Sequence, residues 1–199
     1  MLHMPDDESL LWSQFKNGDR DAFAALYRQH SLPLIAYGIK LCGDRDLLKD
    51  QIQELFVELW NSRENLSSTD SVKFYLFRAL RYKLVRSEKN RQSRIHLIRS
   101  AADAAGDPLE DSVEKTVVEK EIRESYRALM KKALKELTPR QQEVIQLRFY
   151  HGFSNEQIAE LMNMNYQSVS NLLYRSLSRL KEKIKFPDFT TLLLFYCFA

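Results

Sequence analysis

The sequence predicts an all-α chain: two small helical domains joined by a linker, the C-terminal one a helix-turn-helix. Three observations carry that expectation. Glycine and proline are scarce, five each in 199 residues, which disfavours a strand-and-turn fold. Apolar residues recur at helical spacing along most of the chain. Residues 134–184 hold two capping boxes and a tight asparagine turn, the punctuation of three successive helices.

Composition bounds the rest. Hydrophobic residues make up 44% and charged residues 29%, a globular rather than a disordered balance. Cys42 and Cys197 lie far apart and form no metal or redox motif, so a reduced, cytoplasmic chain is expected. The opening MLHMPDDESLL is acidic and lacks the basic-then-apolar layout of a signal peptide. The net charge of +3 is small, but it is unevenly placed: −5 over residues 1–70, +8 over 71–100, −4 over 101–130 and +5 over 131–185. Two basic blocks set apart by acidic ones suit two separate contacts with a polyanion.

In chain order, Leu10 to Phe15 opens a short helix that Gly18-Asp19 breaks, with Asp19 as the next cap. Ala22, Phe23, Leu26, Tyr27, Leu34 and Ile35 carry an apolar stripe toward Leu41, and Pro33 is expected to end or bend that helix. Gly43 marks a turn, and Asp44 caps the helix after it. In DLLKDQIQELFVELW, residues Leu48, Ile52, Leu55, Phe56 and Leu59 share one face. Asp50, Gln53, Glu54 and Glu58 lie elsewhere on that helix and read, on residue types alone, as a solvated acidic face. Asn61 to Asp70 is polar and reads as a loop.

Ser71 to Arg94 is the first basic block, with Val72, Leu76, Ala79, Leu80 and Leu84 as its buried stripe. Phe74, Arg78, Arg81, Tyr82, Val85 and Lys89 lie opposite. Aromatics interleaved with arginines suit an unwound strand: bases stack on rings while phosphates meet guanidinium groups, at about 1–3 kcal/mol per stacked base. Packing of Phe74 or Val85 against a neighbouring helix is the plainer alternative. Residues 92–115, with Gly106, Pro108 and rising acidity, read as a tether. Thr116 to Glu136 reads as one helix whose inner face runs through Val117, Ile122, Tyr126, Leu129, Met130, Ala133 and Leu134, with Leu137 just beyond.

Thr138 caps the next helix, with Pro139 at its first position and Gln141 completing a capping box, and Gly152 sits at its stop. Ser154 and Gln157 form the second capping box, and Ile158, Ala159, Leu161 and Met162 supply an apolar face. Asn163 suits a left-handed turn residue. From about Asn165 a third helix divides into an apolar side, Val169, Leu172, Leu173, Ser176 and Leu180, and a polar side, Gln167, Ser170, Asn171, Tyr174, Arg175 and Ser178. Gln and Asn can make bidentate hydrogen bonds to adenine, and Arg can do so to guanine or pair with phosphate. The polar side therefore fits a DNA major groove as well as it fits solvent.

The run LTPRQQEVIQLRFYHGFSNEQIAELMNMNYQSVSNLLYRSLSRLK resembles the promoter-reading C-terminal domain of extracytoplasmic-function (ECF) sigma factors of the sigma-70 family. DQIQELFVELW and VKFYLFRALRYKLVR resemble the same family's polymerase-docking and −10-reading helices, in the family's order. The likeness spans roughly Leu10 to Lys185 and departs at Ser170 and Leu172, where many members are basic, and at Tyr82 and Arg86, where Asn and Asp are common. It implies a region 2-like domain at 1–91, a linker at 92–115, a region 4-like domain at 116–185 and an apolar tail at 186–199. Asp50, Gln53 and Glu54 would dock on core RNA polymerase. Phe74, Arg78, Arg81 and Tyr82 would hold the melted −10 strand, and the loop at 61–70 would help hold a flipped base. Gln167, Ser170, Asn171, Tyr174 and Arg175 would read the −35 duplex. The implied partners are core polymerase, promoter DNA and an anti-sigma factor, often membrane-bound, with the chain acting as a monomer on polymerase.

No glycine-rich phosphate loop and no Ser/His/Asp or Cys/His grouping stands out, so no enzyme activity, cofactor or metal is expected. His3, His30, His96 and His151 are scattered. Phe189 to Ala199 is almost wholly apolar but about half the roughly 20 residues that span a bilayer. That tail suits, in order, docking as a helix on either domain, contact with an inhibitor, or weak membrane adhesion. The rivals to a sigma factor are a stand-alone helix-turn-helix regulator, which leaves the first ninety or so residues idle, and a membrane-associated adaptor.

Overall fold

The computed structural model describes the backbone of residues 6–97 and 130–183, with side chains at 8–87 and 130–182. Every regular element among the described residues is helical. The chain divides into two compact units, Met1–Gly106 and Asp107–Ala199, and the division falls within the stretch read as a tether.

The first unit holds α1 (Asp6–Lys16), α2 (Arg20–Cys42), α3 (Arg45–Ser62), a 3-10 turn at Arg63–Asn65, and α4 (Val72–Leu97). Asp19 caps α2 by accepting from the backbone N–H of Asp21 and Ala22, and Asp44 caps α3 in the same way through Asp46 and Leu47. The five residues expected on the inner face of α3, Leu48, Ile52, Leu55, Phe56 and Leu59, are all buried. α2 packs on α1, α3 and α4 and is the spine of the unit.

Three expectations are corrected in this unit. Pro33 does not end α2, which continues to Cys42. Its missing N–H deprives the Gln29 carbonyl of a partner, but Gln29 is exposed, where water can serve that carbonyl. Burial of Leu26 and His30 before the proline, and of Leu34, Tyr37 and Gly38 after it, holds the helix together. That buried set also leaves Tyr27 and Ile35 on the flank, 46% and 36% exposed, rather than in the stripe. The polar stretch at 61–70 is loop only from Leu66, because α3 runs to Ser62 and the 3-10 turn comes next. Helix α4 itself runs to Leu97.

The second unit has helical residues at 130–135, then α5 (Pro139–Ile145), a π-helical turn at Gln146–Tyr150, α6 (Asn155–Met162) and α7 (Tyr166–Lys183). Both capping boxes form as the spacing predicts, Thr138 with Gln141 and Ser154 with Gln157. Asn163 adopts the left-handed conformation at φ 52°, as the Asn turn required. Met130, Ala133 and Leu137 are buried, as expected of the helix leading into this domain. The rest of that helix, from 116 to 129, and the apolar tail lie outside the described residues.

The caps give a local test. Ser154→Ala removes one side of a capping box and should destabilise α6 by about 1 kcal/mol, while Ser154→Asn should keep most of the cap. Amide exchange in α6 of the full chain reads this out: faster for alanine, near parent for asparagine.

Candidate functional site

Three exposed surfaces carry the residues singled out from the sequence. The first is the outer face of α3. Asp50, Gln53, Glu54 and Glu58 are all exposed there, and Val57, 52% exposed, adds an apolar spot among them. The face is not free of internal contacts. Gln51 Nε2 donates to Glu54 Oε2 at 3.2 Å, and Lys83 Nζ from α4 lies 3.3 Å from the same oxygen.

The second surface lies on α4. Arg78 and Tyr82 are exposed, Tyr82 at 67%, while Phe74 and Arg81 are half-buried. The four fall at helical spacing on one side, with Val85, 46% exposed, continuing the row. Phe77 is fully buried against Tyr37, at a ring separation of 5.0 Å, and so belongs to the core instead. Not every cation of the basic block faces outward. Burial pushes the Lys73 amine below its usual value, with Glu8 opposing, and Lys83 turns toward α3. Burial, then the Glu58 carboxylate, raises the Tyr75 phenol above its usual value, so Tyr75 stays neutral where the row meets α3.

The loop before α4 is pinned at several points. Trp12 Nε1 donates to Ser67 O at 3.2 Å. Ser71 Oγ accepts from Phe74 N at 3.2 Å and so caps α4. Arg63 lies over the Trp60 ring, 4.8 Å from its centroid, while its Nη1 donates to Trp60 O. Trp60 in turn packs on Phe23 at 5.1 Å. An aromatic cluster thus fixes the segment leading into the basic helix.

The third surface is the polar side of α7. Asn165 starts the helix by accepting from Ser168 N at 2.7 Å, and Val169, Ser176 and Leu180 are fully buried on the inner side. Gln167, Asn171, Tyr174 and Arg175 are exposed, Tyr174 at 74%. Gln167 Nε2 donates to Asn171 Oδ1 at 3.3 Å, so the two amides stand one turn apart as a pair. Ser170 differs from its neighbours. It is half-buried, and its Oγ accepts from Asn155 Nδ2 at 3.3 Å. Asn155, at the start of α6, thereby ties the first helix of the pair to the second. Sequence reasoning missed it, because its partner is fifteen residues away. At the same end of α6, the Ser154 hydroxyl beside Glu156, with that residue's own N–H, holds the Glu156 carboxyl below the usual range.

Lys83 is the other missed residue. A signal was present: it stands three positions after Leu80 and seven after Leu76, which places it at the edge of the buried stripe. Among the described residues no group of three or more His, Cys, Asp or Glu side chains could hold a metal ion. No helix among them is long and apolar enough to cross a membrane.

Comparison with known proteins agrees with this arrangement. The family described as Sigma-70 region 2 matches residues 26–94, and Sigma-70, region 4 matches residues 127–180. Among curated proteins the chain is 25% identical, over 158 residues, to the ECF RNA polymerase sigma factor SigL of Mycobacterium tuberculosis, covering 79% of this chain and 85% of that one. It is 23% identical over 169 residues to the RNA polymerase sigma factor YlaC of Bacillus subtilis, covering 83% and 93%. Among solved structures, the sigma factor RpoE of Bartonella quintana, in complex with the anti-sigma factor NepR, superposes with a TM-score of 0.58 at 22% identity, over 78% of this chain and 91% of that one. At that identity the structural likeness is one of fold. The two family matches together span more than half of the 199 residues, in the order read from the sequence, and the chain belongs to the ECF group of the sigma-70 family of RNA polymerase sigma factors.

Proposed function

We propose that this chain binds core RNA polymerase and directs promoter-specific initiation, with a region 2-like domain at 1–91, a linker at 92–115 and a region 4-like domain at 116–185. The observation that carries the reading is the presence, in one chain, of an acidic exposed ridge and two polar helical faces of the type DNA requires. Asp50, Gln53 and Glu54 grip polymerase, with Val57 as the apolar centre of the contact. Gln167, Asn171, Tyr174 and Arg175 read duplex at −35. Ser170, bonded to Asn155, sets the helix rather than reading a base. Phe74, Arg78, Arg81 and Tyr82 hold the melted −10 strand, where unstacking costs only a few kcal/mol at a weak step.

The chain acts as a monomer on polymerase, in the cytoplasm, where polymerase and promoter are found. An anti-sigma factor covers these surfaces until a signal releases them. The solved relative bound to NepR supports that part of the reading.

The division between melted and duplex DNA is testable with one residue. Arg81→Ala should lower open-complex formation by holoenzyme about tenfold, by the scale of one strand contact, and should change binding to closed duplex by less than about twofold. Permanganate footprinting at −10 beside duplex gel shifts makes the comparison. Equal loss in both assays would contradict the assignment of this face.

A further inference from the structure

Lys83 sits in the middle of the basic block but not on its exposed face. Its side chain is 15% exposed, its Nζ donates to Glu58 Oε1 at 2.8 Å, and it lies 3.3 Å from Glu54 Oε2. Glu54 and Glu58 are neighbours one turn apart on α3, and Asp50 precedes them by another turn. Three carboxylates at four-residue spacing repel one another, and an unrestrained glutamate samples many rotamers. A single ammonium bridging two of them offsets the repulsion and narrows the rotamers at once. Gln51, donating to the same Glu54 oxygen, restrains it further. Glu54 remains 53% exposed, so part of its carboxylate stays open to a partner.

We infer that Lys83 is a positioning residue for polymerase docking: it pre-orders Glu54 and Glu58 on the docking ridge and is withdrawn from DNA. The inference rests on the reading of Asp50, Gln53 and Glu54 as that ridge. Pre-ordering matters because each long side chain immobilised on binding lowers affinity, and a side chain already held loses less. The amine also shares its groove with Tyr75, Tyr82 and Arg86, so the docking and strand-holding surfaces meet at this residue.

The test uses the full-length chain, core polymerase and promoter DNA. Lys83→Met keeps the stem but removes the charge and the donor. It should weaken core binding about three- to tenfold, the range of a partly buried charge pair within a small network. Lys83→Arg should restore most of that loss. Combined with Glu54→Gln, Lys83→Met should cost less than the sum of the two single changes, since both remove the Lys83–Glu54 contact while only Lys83→Met removes the one to Glu58. With polymerase saturating, the dependence of log affinity for promoter DNA on log salt should keep its slope. A slope reduced by about 0.7–0.9 with core affinity unchanged would make Lys83 a phosphate contact and overturn the inference. Loss of core affinity on Glu54→Gln but not on Lys83→Met would overturn the inference and leave the ridge standing. No loss on Glu54→Gln would overturn the inference, and no loss in the triple alanine variant of Asp50, Gln53 and Glu54 would bring down the ridge reading as well.

Discussion

Replacing Asp50, Gln53 and Glu54 together with alanine should lower affinity for core RNA polymerase by about a hundredfold. Truncating one partner of a buried, hydrogen-bonded charge pair at an interface typically costs about 2–5 kcal/mol, and 1.4 kcal/mol is a factor of ten. Even if only one of the two carboxylates makes such a contact, the loss approaches that figure. The fold should survive, because all three side chains are exposed and α3 is held from its other face by Leu48, Ile52, Leu55, Phe56 and Leu59. Lys83 keeps Glu58 as a partner when Glu54 is gone. The binding should also be salt-sensitive, as expected of an acidic ridge docked on a basic partner surface. Titration of labelled core polymerase at two salt concentrations measures both effects. Parent-like affinity in the triple variant would remove the docking ridge from the account.

Gly38→Val should destabilise the first unit by about 3 kcal/mol. Gly38 lies inside α2, where glycine is disfavoured by about 1 kcal/mol against alanine, so a packing reason is expected. The structure supplies one. A Cβ at position 38 would overlap Leu48 Cδ1 and lie 3.3 Å from Cδ2, and Leu48 is itself only 1% exposed. The leucine must therefore shift within the core, and overpacking of this kind costs about 1–3 kcal/mol, with the branched valine at the upper end. Both tryptophans, Trp12 and Trp60, lie in this unit, so their fluorescence tracks its unfolding selectively. A fall of about 12–24 °C in the midpoint is expected, at about 4–8 °C per kcal/mol for a domain of this size. Leu48→Ala in the same chain should recover part of the loss, because the two changes share one space. An unchanged midpoint would mean that α2 and α3 do not approach closely at Gly38.

The elements legible in the sequence were those specified by neighbouring residues. Thr138, Ser154 and Asp19 cap their helices because the donors they meet lie within three residues. Asn163 turns because its own side chain tolerates positive φ. The inner face of α3 came from spacing alone. The features that escaped depend on residues remote in sequence. Pro33 is carried through α2 by burial on both sides, a tertiary effect that outweighs a local breaker. Lys83 reads as one more basic residue until α3 is laid beside α4 and two carboxylates face it. Ser170 shares the spacing of the reading face, yet Asn155 engages its hydroxyl from another helix. Phe77 stands next to Leu76 of the stripe, and only its contact with Tyr37 reveals it as core. The roles proposed for residues on the three surfaces rest mainly on family resemblance, since exposed polar faces of this kind also occur on helices that bind nothing.

A chain that both grips the transcription machine and selects where it starts has a direct signature in transcription itself. Run-off transcription with purified core polymerase measures this directly, on a library of promoter fragments with and without the chain. Discrete transcripts are expected only with the chain present, from fragments sharing −35 and −10 elements at fixed spacing. Tight duplex binding by the chain alone, with no specific initiation when core polymerase is added, would contradict it and favour a stand-alone regulator.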